Sequence, residues 1–236
     1  MKKYEMTSNT KEFAGRKLFQ IRALKDFSDV KTGDLGGYIE KEENLSHDGN
    51  AWVFGNARVF GNARICVNAK IYNNAKVFEN AWVFGKAKVY GNTLVCGNAL
   101  IYDNAQIYDD AEVFDNAQVY GNAQIYDSAS VYGDARVFDD AQVLGNARVC
   151  DSSKIYNDAL ICDSANYIYF KGFGSKSRNT TMFRTRNGNI IVKCGCFTGN
   201  LKEFSEKIKE THNNTKYAKE YLACVEAAKI HFEIDD

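Results

Sequence analysis

Ala51-Trp52-Val53-Phe54-Gly55-Asn56, Ala57-Arg58-Val59-Phe60-Gly61-Asn62 and Ala63-Arg64-Ile65-Cys66-Val67-Asn68 follow one another without a break. The same six-residue pattern runs on to Asp163. Val or Ile stands at every sixth position from Val53 to Ile161, nineteen times in register and with no insertion. Two residues before each comes Ala, with Thr93 and Ser153 the exceptions. Three residues after it comes Asn, Asp or Ser, with Lys86 the one departure. A period of six draws no continuous stripe on a helix of 3.6 residues per turn, so a helix is excluded.

Strand alternation explains the pattern. Successive side chains of a strand point to opposite faces, so Ala and Val/Ile share one face. The variable residue and the Phe/Tyr after the aliphatic share the other. Gly-Asn, Asp-Asn and Asp-Asp pairs tolerate left-handed backbone and make corners. Three short strands and three corners close an 18-residue triangular coil. Stacked coils bury the aliphatic stripe and pair the backbone of each coil with the next. Nineteen hexads make about 6.3 coils, a prism about 30 Å tall at the usual strand spacing.

This repeat resembles the hexapeptide-repeat, left-handed parallel β-helix family, whose [LIV]-x-x-x-[small]-x pattern is met by Val119-Tyr120-Gly121-Asn122-Ala123-Gln124. The resemblance covers about half the chain and is specific for fold, not for function. Gly33-Asp34-Leu35-Gly36-Gly37-Tyr38-Ile39-Glu40 and Lys193-Cys194-Gly195-Cys196-Phe197 add a likeness to repeat proteins carried by bacteriophages and prophages, often labelled acyltransferase-like. That likeness implies a mobile-element origin and brings no established chemistry.

The flanks read as caps, giving an N-terminal cap over 1–50, the β-helix over 51–165 and a C-terminal α+β domain over 166–236. In the first, Lys17 to Leu24 reads as a strand and Lys31 to Gly37 as a turn. Leu45 falls on the small-residue column and His47 on the aliphatic one, as in a degenerate first coil. In the last, Asn187-Gly188-Asn189 between alternating segments signals a hairpin. Leu201, Phe204 and Ile208, then Tyr217, Tyr221, Leu222, Val225 and Ala228, recur at helical spacing. A hairpin plus two helices is expected.

The chain has 236 residues, no proline, seven cysteines and equal numbers of acidic and basic residues, 30 each. No apolar segment follows Met1 and no apolar run could span a membrane. A cytoplasmic protein with reduced thiols and no membrane partner is expected. Cys194 and Cys196 form a close pair, but nothing completes four metal ligands, and no metal or cofactor is expected. Acyl transfer from coenzyme A, suggested by the resemblance, usually needs a His base and a loop interrupting the coils. Neither occurs between Ala51 and Asp163; the histidines are His47, His212 and His231. No catalytic residue is assigned.

Three binding surfaces stand out. The neutral total hides segregation: residues 51–98 hold 6 basic and 1 acidic residues, whereas 99–165 hold 3 and 12. The acidic ones fall mostly at corners: Asp103, Asp109, Asp110, Asp115, Asp127, Asp134, Asp139, Asp140, Asp151 and Asp158. They are either good turn formers left in solvent or a negative surface for a basic host protein, in the manner of a DNA mimic. Outward aromatic rows, including Tyr72, Tyr90, Tyr108 and Tyr126 on one face and Tyr102, Tyr120, Phe138 and Tyr156 on another, either stack for stability or form the interface of a homo-oligomer, a trimer or dimer. Arg178, Arg184, Arg186 and Lys193 on the C-terminal hairpin offer the only expected site for nucleic acid or a nucleotide. The expectation is a non-enzymatic binding protein that occludes or sequesters a host macromolecule or defence component. An acyltransferase-like enzyme and a phage structural component are the alternatives.

Overall fold

Each hexad folds as its alternation requires. In the computed structural model, which describes residues 2–234, nineteen two-residue strands run from β4 (Trp52–Val53) to β22 (Leu160–Ile161). Strands eighteen residues apart pair in parallel, as in Lys88↔Gln106 and Val89↔Ile107. Every third strand therefore joins the same sheet, and three parallel sheets enclose one core. The Ala and Val/Ile columns are buried throughout, while most residues of the aromatic column are half-buried.

The backbone ladder accounts for the missing proline. In one hexad, Asn104 N–H donates to the Gly121 carbonyl (2.8 Å), Gln106 N–H to Ala123 (2.9 Å) and Tyr108 N–H to Ile125 (3.0 Å). Ala105 N–H turns back across the corner to the Tyr102 carbonyl (3.2 Å). Proline at any of these positions would remove a bond and leave a carbonyl unpaired.

The corners explain the Gly/Asn/Asp choice. The first corner residue is left-handed from Gly55 (φ 58°) to Asn157 (φ 54°), with Asp103, Asp115 and Asp139 between φ 55° and 58°. Glycine and a hydrogen-bonding residue alternate up one column: Gly61, Glu79, Gly97, Asp115, Gly133, Asp151. At Gly97 the coil above comes so close that a Cβ would lie 2.6 Å from the Asp115 amide nitrogen. One coil on, the Asp115 carboxylate accepts the Gly133 N–H (3.1 Å). The second corner residues form carboxamide ladders. Asn62 donates to Asn80, Asn80 to Asn98, Asn98 to Asn116 and Asn116 to Asp134, each at 3.0 to 3.1 Å. A carboxylate can only accept, so Asp134 ends the series.

The N-terminal cap contains more structure than its sequence announces. β1 (Tyr4–Phe13) and β2 (Arg16–Ala23) form a hairpin around left-handed Ala14 and Gly15. β3 (Leu35–Ile39) pairs antiparallel to β2 and parallel to the coil above it. The segment expected as a turn up to Gly37 is thus strand at Leu35-Gly36-Gly37. The two glycines are required by contact: a Cβ on Gly36 would lie 2.5 Å from the Ile21 side chain, and one on Gly37 2.6 Å from the Ala57 carbonyl. Leu45 bridges to Ile65, so it occupies the aliphatic column and not the small-residue one. Two extra residues before Val53 shift the register, giving an offset of twenty there against eighteen above. With Ile39 and Leu45 counted, the solenoid has seven layers.

His47, displaced by that shift, closes the rod's lower end. Its ring stacks on Tyr4 at 4.4 Å. Its Nδ1 accepts the Lys3 N–H (3.1 Å) and its Nε2 donates to Glu42 (2.8 Å). The buried Lys3 ammonium donates to the Ala51 carbonyl (2.8 Å), and burial pulls its pKa down to about 8.

The upper end is covered by a sheet of four antiparallel strands, β23 (Tyr167–Phe173), β24 (Arg178–Arg184), β25 (Ile190–Cys194) and β26 (Phe197–Gly199). The Asn187-Gly188-Asn189 hairpin forms as read, but two further strands flank it. One face of this sheet meets the rod: Phe183 joins the solenoid core, and Thr181 Oγ1 accepts the Lys154 N–H (3.1 Å). The other face, with Met182, Val192 and Cys194, packs on α1 (Leu201–His212) and α2 (Lys216–His231) through Phe204, Ile208, Tyr221 and Val225. The sheet thereby hides backbone edges that an open solenoid would expose. No helix among the described residues is long and apolar enough to cross a membrane.

Candidate functional site

The acidic corners are largely committed to the rod itself. The carboxylates of Asp103, Asp115, Asp127 and Asp139 accept the N–H of the residue one coil on, at 3.0 to 3.3 Å. Asp110, Asp134 and Asp140 end carboxamide ladders at 3.0 Å. Asp151 accepts the Cys150 thiol (3.5 Å). The Asp158 carbonyl accepts the Arg186 N–H (3.1 Å). Asp109 stands exposed at a left-handed corner. The rows exist, and turn and ladder chemistry explains most of their members.

The aromatic rows stack as flat ladders. Phe84, Tyr102, Tyr120, Phe138 and Tyr156 lie 4.7 to 5.0 Å apart with nearly parallel rings. Tyr90, Tyr108 and Tyr126 do the same at 4.8 to 4.9 Å, and Tyr72 stacks on Phe54 at 4.5 Å. Tyr156 does not point into solvent as its column predicts. The C-terminal sheet buries it against Phe183 (5.2 Å), and its hydroxyl donates to Thr198 (3.1 Å). It is thus withdrawn from any interface on that face. At the other end, Phe13 of the N-terminal hairpin covers Phe60.

Burial raises the ladder phenols. Tyr72, Tyr90, Tyr102, Tyr120 and Tyr126 are all pushed up by burial first. Tyr108, between Tyr90 and Tyr126, is pushed up to about 12. A phenol whose folded pKa exceeds its unfolded value gives stability that is complete below pH 10 and lost as pH climbs through the folded value. Lys3 acts in the opposite sense, gaining stability between its folded value near 8 and its ordinary 10.5. The expected result is a β-sheet signal that holds to about pH 10 and then collapses cooperatively together with tyrosinate absorbance. A spectrophotometric titration with most ladder phenols ionising near pH 10 in a still-folded rod would refute this.

The four hairpin cations do not form one patch. Arg184 turns toward the end of α2, donating to the Phe232 carbonyl (2.7 Å). Arg186 donates to the Asp140 carbonyl (2.9 Å) and fastens the module to the rod. Arg178 and Lys193 line a cleft of about 460 Å3 between the last coil and the sheet, with Ser152, Lys154, Asn179, Thr181, Gly195 and Cys196. Lys193 Nζ also donates to Thr198 (3.0 Å). Among the described residues, none of Lys154, Arg178 and Lys193 is paired with a carboxylate. Three cations facing one polar cleft with no counter-charge suit an anion. Lys154 carried no signal in the sequence: it is one more variable residue of a hexad until the C-terminal sheet docks beside it.

Cys194 is buried and Cys196 exposed, and no group of three or more His, Cys, Asp or Glu able to hold a metal occurs among the described residues. His231 donates to the Tyr167 carbonyl (3.1 Å), and His212 stacks on Tyr221 (5.7 Å).

Two comparisons bear on the rod. The family described as YdcK beta solenoid repeat matches residues 105–121 and 117–132. That match falls on coils whose strands, corners and buried columns are all in the expected register. The rod is a parallel β-solenoid built of hexapeptide repeats. The chain is also similar to a protein of Escherichia coli (strain K12) named "Uncharacterized acetyltransferase YdcK", with 37% identity over 62 residues. The match takes in 23% of this solenoid chain and 19% of the relative, so the chain spans about a fifth of that protein's length.

Proposed function

We propose that this solenoid is a binding protein that holds a phosphate-type anion in the cleft between its last coil and its C-terminal sheet, and that it acts by sequestration. The observation that carries this reading is the cleft itself: Lys154, Arg178 and Lys193 converge with Ser152, Asn179 and Thr181, without a compensating carboxylate. The likeness to phage-borne repeat proteins supports a component of the host, or of its defences, as the carrier of that anion. The acidic rod is the weaker candidate surface, since eight of its ten carboxylates already accept hydrogen bonds from within the solenoid. Self-association fits the face of Phe84, Tyr102, Tyr120 and Phe138, where Trp82 is 43% exposed.

Acyl transfer is the second reading, and the name of the Escherichia coli relative favours it. The similarity that carries it is confined to under a quarter of this chain. Turnover of acetyl-coenzyme A by the purified protein would raise it above sequestration.

Calorimetry with inorganic pyrophosphate tests the main reading. Binding should weaken as salt rises. Lys154→Ala, Arg178→Ala and Lys193→Ala should each weaken it about tenfold, the loss expected for one charge-assisted contact. Asp109→Asn should leave it unchanged. No measurable binding at low salt, or binding indifferent to all three cations, would overturn the proposal.

A further inference from the structure

A second cavity adjoins the anion cleft. It encloses about 300 Å3 on the helix side of the C-terminal sheet, lined by Cys194, Phe197, Phe204, Ile208, His212 and Tyr221, among others. The two cavities share two residues, Arg178 and Cys196. They meet where the Arg178 guanidinium crosses the β25–β26 turn at Gly195. A Cβ on Gly195 would lie 2.4 Å from Arg178 Nη1, so the glycine lets the arginine lie flat across the sheet end. One side of that arginine is polar and cationic; the other is apolar and aromatic.

The lining of the second cavity is specific. Phe197 and Phe204 lie 5.1 Å apart, Phe204 and Tyr221 5.8 Å, and His212 stacks on Tyr221 at 5.7 Å. Tyr221 is fixed by its hydroxyl, which donates to the Phe173 carbonyl (3.1 Å). Thr211 and His212 add polar atoms to this aromatic wall. Lys207 also borders it but is paired with Glu210 (2.8 Å). Aromatic walls with polar atoms among them suit a flat heteroaromatic ring, which can both stack and hydrogen-bond; an alkyl chain would leave the polar atoms unpaired.

We infer that the ligand is a nucleotide: its phosphates lie on Lys154, Arg178 and Lys193, and its base crosses beneath Arg178 into the pocket of Phe197, Phe204, His212 and Tyr221. This rests on the anion-binding reading and adds the chemical class of the ligand. Arg178 serves both halves, as a cation toward the phosphates and as a planar lid over the base.

Calorimetry comparing ADP with inorganic pyrophosphate separates the two proposals. The expected result is ADP binding about tenfold or more tighter than pyrophosphate, the gain typical of one stacked base. Phe197→Ala and His212→Ala, both at half-buried positions, should remove that gain and leave pyrophosphate affinity unchanged. A thermal melt of each variant matching the parent's would show that folding is intact. Equal affinity for ADP and pyrophosphate would overturn the nucleotide assignment while the anion site stands. Binding of neither would overturn both. An ADP advantage untouched by Phe197→Ala and His212→Ala would also overturn it, since the base would then lie elsewhere.

Discussion

Ile107→Asp is expected to leave the chain without a stable solenoid. Ile107 lies in the fourth of seven parallel strands of its sheet, between Val89 and Ile125, and is 0% exposed. The core around it is built of Ala and Val/Ile columns, in which Thr93 and Ser153 are the buried polar exceptions and no side chain carries a positive charge. An unpaired buried charge costs several kcal/mol, a large part of the 5–15 kcal/mol that holds an ordinary domain together. Each coil touches only those above and below it, so no distant contact relieves the damage. Ile107→Val removes one methylene from the same place and should cost only about 1 kcal/mol. Denaturant melts followed by circular dichroism compare the two. A charged variant melting within about 1 kcal/mol of the parent would mean that the rod's centre is wet.

Gly97→Val and Val67→Asn should shift stability in opposite directions, although both change the first residue of a corner. Gly97 has φ 68°, where a residue with a Cβ loses about 1–2 kcal/mol. The added atom would also lie 2.6 Å from the Asp115 backbone, which cannot rotate away as a side chain could. With overpacking worth about 1–3 kcal/mol, the combined loss is about 3 kcal/mol or more. Val67 holds φ 61° with a β-branched side chain that is 48% exposed, so it bears the strain and gains little burial. Asn accepts that conformation readily, and Val67→Asn should stabilise the rod by about 1 kcal/mol. Two melts settle it; the same sign for both would refute the account of the corners.

The solenoid was legible because its physics repeats. One hexad shows why Ala and Ile face inward and why Asp and Gly turn the chain, and eighteen more show it again. The caps were less legible because each contact in them occurs once. Nothing in Leu35-Gly36-Gly37 announces a strand until Ile21, Val53 and Ala57 crowd it from both sides. The two-residue slip that places Leu45 beneath Ile65 depends on two extra residues that carry no mark of their own. The candidate site was half visible. Arg178 and Lys193 were read as basic, but so were Arg184 and Arg186, and only the docking of the module separates a cleft from a set of fasteners. Lys154 and His212 lie far apart in sequence, on the rod and on a helix, and only the placement of the sheet between them brings both to bear on Arg178.

The alternation of glycine with a carboxylate up the corner of Gly61, Glu79, Gly97, Asp115, Gly133 and Asp151 means that neighbouring coils are not equivalent there. At that corner a glycine lets the next coil settle close, and a carboxylate reaches up and takes an N–H from the glycine above it. The smallest piece that restores the same corner is therefore two coils, 36 residues, although the strands repeat every six. Gaining or losing two coils leaves the order at this corner unchanged. A change of one coil would set glycine on glycine or carboxylate on carboxylate at that corner, as Asp109 and Asp127 already stand in another column, and a change of one hexad would turn the upper cap, with its cleft, onto a different side of the prism.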